Sequence, residues 1–230
     1  DGDIASVCGV LAGAERPVLL VGGGGWTDAG RVHLRSFAER NDLPVVVTFR
    51  RHDLFDNTDD RYAGEAGVAM PAAVRRALVE ADVVVALNAR FGEMATGAYT
   101  LFGAGSSERP PGQSIIHVHA SEAEFGKVVD ADRTVHAGPN EMAGALANVD
   151  LEGRARWARW RAERRAAFLD TLDCPPQLGE LDMGEVTAWL RDRLPDDVIV
   201  TNGAGNFSVW PNKFLVYGDR KIWAAVQMRR

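Results

Sequence analysis

Along the first 150 residues, apolar positions follow two alternating rhythms. Four short runs, at 18–21, 43–49, 83–87 and 115–119, are nearly continuous in apolar, mostly β-branched residues, and each is too short for a helix. Such runs suit strands buried on both faces, as in a parallel sheet covered by helices. Between them the apolar residues recur every three or four positions. Ile4, Val7, Cys8 and Leu11 share one side of a helix predicted over 4–14, which Gly13 and Pro17 end. A helix over 29–40 follows, opening near Thr27 or Asp28, with Val32, Leu34 and Phe37 as its inward residues and Asn41-Asp42 as its stop. Residues 50–70 are polar and glycine-containing and read as a connection. Pro71 takes the first position of a helix continuing over 72–81. Ser121 caps a short helix, 133–136 makes a fifth short strand, and 139–147 forms the closing helix. Strands alternating with helices predict a doubly wound α/β fold. Its sheet is mostly parallel, with helices on both faces, right-handed crossovers, and ligands at the carboxyl ends of the strands.

After residue 148 the pattern changes. Residues 154–171 read as a helix in which Trp157, Trp160 and Phe168 are available to pack, surrounded by Arg154, Arg156, Arg159, Arg161, Arg164 and Arg165. Glu152, Glu163 and Asp170 interrupt the positive charge, and the bland reading is a solvated helix face rather than a nucleic-acid surface. Cys174-Pro175-Pro176-Gln177 is a stiff linker at a domain boundary. A helix over 183–194, a strand over 197–202 and a glycine turn at 203–205 then repeat the opening architecture, as the start of a second α/β domain. The expected organisation is therefore 1–148, an arginine-rich linker over 149–180, and 181–230.

Composition adds exclusions. The 230 residues are 46% hydrophobic and 25% charged, ordinary for a globular chain, and the net charge of −6 argues against nucleic acid as the bulk partner. No window is apolar for the length of a membrane span, and residues 1–10 lack the basic and apolar regions of a signal peptide, so the expected compartment is the cytoplasm, with no membrane partner. Cys8 and Cys174 form no CxxC or Cys/His cluster.

Candidate chemistry gathers at strand ends. In PVLLVGGGGWTDAGR, residues 17–31, an apolar strand breaks into four glycines ahead of a helix, a corner where backbone N–H groups meet an anion; Gly23 and Gly24 are its candidate binding residues. The GxGxxG fingerprint is incomplete, since Thr27 or Ala29 stands where its last glycine belongs, and the alternative is a plain glycine turn. Arg90, just after the third apolar run, stands either at a ligand crevice or in a surface salt bridge, within a connection over 88–112 whose length suggests a binding role. His117 and His119 face the same way, but no third metal ligand is nearby. The second glycine turn, with Gly205, Asn206 and Phe207, suits a diphosphate.

The segments PVLLVGGGGWTDAG, VVVALNARFGEMATGAYTLF, IIHVHASEAEFGKV and DVIVTNGAGNFSVWPNKFL occur in the order and spacing of thiamine diphosphate-dependent enzymes, and the chain most resembles the acetolactate synthase-like group. The resemblance implies that residues 4–147 are a Rossmann-like central domain and that the chain from residue 181 opens the diphosphate-binding domain. It implies thiamine diphosphate and Mg2+ in the full-length enzyme, 2-oxo acid substrates, decarboxylation or carbon–carbon bond formation, and a homo-dimer or homo-tetramer. Gly205, Asn206 and Phe207 would stand near the cofactor's phosphates. Flavin-binding relatives hold FAD with the first glycine loop and the arginine corresponding to Arg90. Here Gly92, Glu93 and Met94 replace the usual two aspartates and arginine, so FAD, another nucleotide or an empty central site all stand open. The family's catalytic glutamate belongs to a preceding domain, and its Gly-Asp-Gly magnesium motif is met only by Gly218-Asp219-Arg220, so this segment alone is expected not to be catalytic. A stand-alone nucleotide-binding module, and an interaction protein using the arginine-rich helix, are the rival readings.

Overall fold

Six strands pair in the order Tyr62–Ala66 (β3), Val45–Thr48 (β2), Pro17–Val21 (β1), Val83–Leu87 (β4), Ser114–His119 (β5) and Arg133–His136 (β6), and every pairing is parallel. The structure is a computed structural model that describes residues 2–68, 70–203, 205–218 and 221–224; side chains at 153, 154 and 221–224 are not described. In chain order the elements are α1 (Gly2–Gly13), β1 (Pro17–Val21), α2 (Asp28–Asn41), β2 (Val45–Thr48), β3 (Tyr62–Ala66), α3 (Ala72–Glu80), β4 (Val83–Leu87), β5 (Ser114–His119), β6 (Arg133–His136) and α4 (Pro139–Leu146). They continue as α5 (Gly153–Asp170), α6 (Met183–Arg193), β7 (Ile199–Asn202), α7 (Val209–Phe214) and β8 (Lys221–Ala224).

Why the apolar runs are continuous is plain from what covers them. Successive strand side chains point to opposite faces, and each face has its own helical layer. Leu19, Val21, Val45, Val47, Val85 and Val118 pack with α1, α2 and α4 through Leu11, Leu34, Phe37 and Met142. Val18, Leu20, Val46, Val84 and Ile115 pack on the other face with α3 and with the 88–112 connection, through Val74, Leu78, Phe91, Leu101 and Phe102. Helix α2 is closed at both ends by its own sequence. Thr27 caps it by accepting the Gly30 N–H at 3.0 Å, and Asp42 ends it in the left-handed conformation.

Three expectations need correction. Residues 50–70 are more than a connection: a short 3-10 turn at His52–Leu54 is followed by β3, a buried edge strand reading YAGEA. Gly64 in that strand adopts φ +111, and a Cβ there would press on Val74 and Phe168, so the glycine that hides the strand in sequence is what lets it pack. Val32 points outward, 62% exposed, because the buried face of α2 is set by Leu34, Phe37, Ala38 and Asn41 and position 32 lies off that stripe. Ser121 precedes its 3-10 turn without a side-chain cap; its N–H instead donates to His119 Nδ1 at 3.0 Å.

The arginine-rich helix α5 crosses the amino-terminal ends of the strands. Trp157 Nε1 donates to the Ala14 carbonyl and Trp160 Nε1 to the Pro17 carbonyl, both at 2.9 Å. Its arginines reach segments that lead into strands. Arg156 donates to the carbonyls of Ala12 and Ala14, Arg161 to Asp42, Arg164 to Glu80, and Arg165 to the Asn57 and Tyr62 carbonyls. The cations thus satisfy helix-end and loop oxygens of the first unit, a structural use of charge. Arg154 lies outside the described side chains.

Beyond α5, β7 and β8 pair in parallel as a separate two-stranded sheet. The 209–217 segment docks back on the first unit. Tyr217 N–H donates to Asn57 Oδ1 at 3.1 Å, Asn57 N–H donates to the Tyr217 carbonyl at 3.2 Å, and His52 Nε2 lies 2.8 Å from the Asn212 carbonyl.

Candidate functional site

In this strand order the direction of winding reverses between β1 and β4, and the loops leaving their carboxyl ends must part to opposite faces. The opening so made is a crevice of about 520 Å³, within the range of small-molecule sites. Its walls come from three segments: Gly23 and Gly24 after β1, Thr48 at the end of β2 with Phe49 and Arg51 beyond it, and Arg90 with the 92–95 stretch after β4. The structure therefore brings Gly23, Gly24 and Arg90 together.

The glycine loop is held by side chains rather than by repeating backbone bonds. Asn88, in the left-handed conformation at the end of β4, donates through Nδ2 to the Gly24 carbonyl at 2.8 Å and to the Gly22 carbonyl at 3.4 Å. Trp26 Nε1 also donates to the Gly22 carbonyl at 2.8 Å, and Asn140 Nδ2 donates to the Gly25 carbonyl at 2.8 Å. Asn140 Oδ1 in turn accepts the Thr27 N–H at 2.9 Å. The loop's carbonyls are thus tied back into protein, and the head of α2 is capped from within. Gly23 has φ +67, and a Cβ on it would strike the Asn88 carbonyl; a Cβ on Gly22 would strike the Thr48 hydroxyl. Gly24 differs: a Cβ there would meet only Arg51 Nη2, at 3.5 Å, so this residue faces the crevice and its cation.

Two guanidinium groups border the crevice. Arg51 pairs loosely with Asp53 at 3.9 Å. Arg90, 71% exposed at its side chain, stands 3.8 Å from Glu124, a surface contact worth little in water. Arg90 thus lines the crevice and carries a weak surface ion pair. His117 supports this wall from beneath. It is fully buried, and its Nε2 donates to the Ala89 carbonyl, one residue before Arg90, at 2.9 Å. Burial pushes its pKa below the usual imidazole range, so the ring stays neutral at pH 7. His119 lies beside it at 5.7 Å between ring centroids, and among the described residues no three His, Cys, Asp or Glu side chains are grouped to hold a metal ion.

Gly205, Asn206 and Phe207 lie elsewhere, at the corner between β7 and α7. Asn206–Ser208 forms a 3-10 turn, Ser208 Oγ donates to the Gly205 carbonyl at 2.7 Å, and all three candidate residues are exposed. A Cβ on Gly205 would come within 2.8 Å of the Phe207 ring, so the corner accommodates only glycine in this form. Ala204, Asp219 and Arg220 lie outside the described residues.

Arg51, Asn88, Thr48 and Asn140 did not stand out in the sequence. The one available signal was Asn88 itself, since asparagine directly after a strand tolerates the left-handed turn that redirects the chain.

Residues 4–146 match the family model of the central domain of thiamine pyrophosphate enzymes. The acetolactate synthase large subunit of Parasynechococcus marenigrum is 31% identical over 224 residues, 96% of this chain and 35% of that protein. Acetolactate synthase isozyme 1 large subunit of Escherichia coli is 27% identical over 90% of this chain and 35% of its own length. A probable acetolactate synthase large subunit of Methanocaldococcus jannaschii is 26% identical, over 89% of this chain and 35% of its own length. The chain spans about a third of the length of the curated relatives it matches.

Proposed function

The chain belongs to the thiamine pyrophosphate enzymes, with their central domain over residues 4–146, and from that premise we propose that it serves an acetolactate synthase-like enzyme that decarboxylates 2-oxo acids and forms a carbon–carbon bond. The single observation that carries this reading is that similarity to acetolactate synthases runs through 96% of the chain, across both glycine corners. The proposed division is a central domain at 1–148, a linker at 149–180 and the opening of the diphosphate-binding domain at 181–230. The proposed setting is a cytoplasmic homo-dimer or homo-tetramer that uses Mg2+.

Bound thiamine diphosphate supplies a nucleophilic carbon and an electron sink for cleaving and forming bonds next to a carbonyl. The chain's own part in this reading is to bind and to orient. The exposed N–H groups of the Gly205–Phe207 corner take the diphosphate. The crevice takes an anionic nucleotide group, with Gly24 allowing close approach and Arg51 and Arg90 supplying opposite charge.

The full-length natural protein, supplied with thiamine diphosphate and Mg2+, is expected to consume a 2-oxo acid from a panel of such acids. Failure to consume any of them, with the cofactor demonstrably bound, overturns the reading.

A further inference from the structure

Just past the crevice-lining Arg51, two ionisable side chains are buried together where the 209–217 segment meets the first unit. His52, from the 3-10 turn after β2, and Glu65, on β3, bring Nε2 and Oε2 to 3.5 Å. Both side chains are almost wholly buried, at 2% and 8% exposed. Among the described residues, the only oxygen within normal hydrogen-bond length of the imidazole is the Asn212 carbonyl on α7, 2.8 Å from Nε2. A carbonyl only accepts, so Nε2 must carry the hydrogen. Nδ1, buried without a partner among the described residues, is then bare. Glu65 Oε1 accepts the Arg50 N–H at 3.0 Å, which leaves Oε2 turned toward the imidazole.

We infer that His52 and Glu65 form a proton-operated latch on the 209–217 segment: while Glu65 is protonated the His52 Nε2 hydrogen goes to the Asn212 carbonyl, and when Glu65 is ionised the carboxylate takes that hydrogen and the carbonyl is released. A neutral carboxyl oxygen is a weak competitor at 3.5 Å, whereas a carboxylate buried beside an N–H is a strong one. No atom leaves the site except the Glu65 proton, which passes to solvent.

The surroundings favour the closed form at neutral pH. The charged and titratable groups around the His52–Glu65 pair are Arg50 from the segment after β2, Tyr62 on the strand of Glu65, Tyr217 packed on His52, and Lys213 lining the same cavity. Arg165 reaches Tyr62 from α5. Burial outweighs the Arg50 charge and N–H and pushes the Glu65 carboxyl up to about 8, while burial pulls His52 down to about 4. Between those values His52 is neutral and Glu65 protonated, the arrangement that the bond to Asn212 requires.

The latch acts on α7, which follows directly on the 3-10 turn Asn206–Ser208. If the Gly205–Phe207 corner is a diphosphate site, as proposed above, opening the latch loosens the anchor of that corner on the first sheet. The latch itself stands without that reading.

Carbon and nitrogen NMR of the full chain tests it. The Asn212 carbonyl carbon and the Lys213 amide nitrogen, which share the peptide group accepting the bond, are expected to shift together with the Glu65 carboxyl carbon, at one midpoint near pH 8. In Glu65→Gln the same two signals are expected to stay flat from about pH 6 to about pH 9. A flat Asn212 signal while Glu65 titrates overturns the latch, as does an Asn212 step that persists in Glu65→Gln. If that variant does not fold, coincident midpoints in the unaltered chain support the latch and separate midpoints overturn it.

Discussion

Gly23 and Gly24 are neighbours with opposite constraints. Gly23 needs its positive φ and has the Asn88 carbonyl where a Cβ would go, so Gly23→Ala should cost at least about 1–2 kcal/mol from the backbone conformation alone. Gly24 needs neither. Gly24→Leu should therefore fold with a urea midpoint close to that of the parent, yet lose most of its affinity for ADP or FAD, whichever calorimetry finds to bind. Unchanged nucleotide binding in Gly24→Leu would mean that the loop is structural and that no ligand approaches it. Asn88→Ala is the complementary change. It strips the Gly24 carbonyl of its donor and leaves alanine in a left-handed turn, for an expected loss of about 2–4 kcal/mol in chemical denaturation. His117 acts one step further back, through the Ala89 carbonyl, and positions Arg90 without touching the crevice.

At the scale of elements, α5 shows how an arginine cluster is used when it is not a surface for nucleic acid. Trp157 and Trp160 insert among strand ends, and the arginines that point the same way neutralise helix ends and carboxylates. Trp157→Ala should cost about 3–5 kcal/mol, the usual loss for a large buried aromatic. Arg159→Ala, at a side chain 92% exposed whose ion pair is to Glu163 one turn away, should change the thermal midpoint hardly at all. Calorimetry on the two variants separates the packing role from the charge. The same element scale shows what a sequence can disclose. Strands β1, β2, β4 and β5 were legible because burial on both faces forces unbroken apolar runs. Strand β3 was not, because its packing depends on Gly64 and its polar Glu65 meets partners outside the strand. At the candidate site, the place of Gly23, Gly24 and Arg90 beside one crevice was legible because loops leaving the carboxyl ends of parallel strands open there. Arg51 and Asn88 became visible only when the sheet order set the β2 loop, the β1 loop and the β4 loop side by side. No local pattern links His52 to Asn212, 160 residues away.

At the scale of the whole molecule, those buried titrating groups make stability depend on pH with opposing signs. His52 and His117 both have lowered folded pKa values, from burial, so below the ordinary imidazole value of 6.5 the unfolded chain binds protons that the folded chain refuses. Their contribution is present above 6.5 and is lost as pH falls toward about 4 for His52. Glu65 runs the other way. Its carboxyl is raised from 4.5 to about 8, so between those values the folded chain holds a proton that the unfolded chain has released. Its contribution is full below 4.5 and is lost as pH rises through about 8. From 4.5 to 6.5 His52 and Glu65 oppose each other, and His117 tips the balance toward greater stability with rising pH. Above 6.5 Glu65 alone remains. Urea denaturation of this chain should therefore show a maximum near pH 6.5 and a fall on the order of 1–2 kcal/mol by pH 8. Glu65→Gln should abolish that fall and steepen the acid limb, since the two histidines then titrate with nothing opposing them. A maximum displaced to pH 8 or above would show that the Glu65 carboxyl is ionised in the folded chain at neutral pH, and that the proton on it does not govern how the 209–217 segment is held.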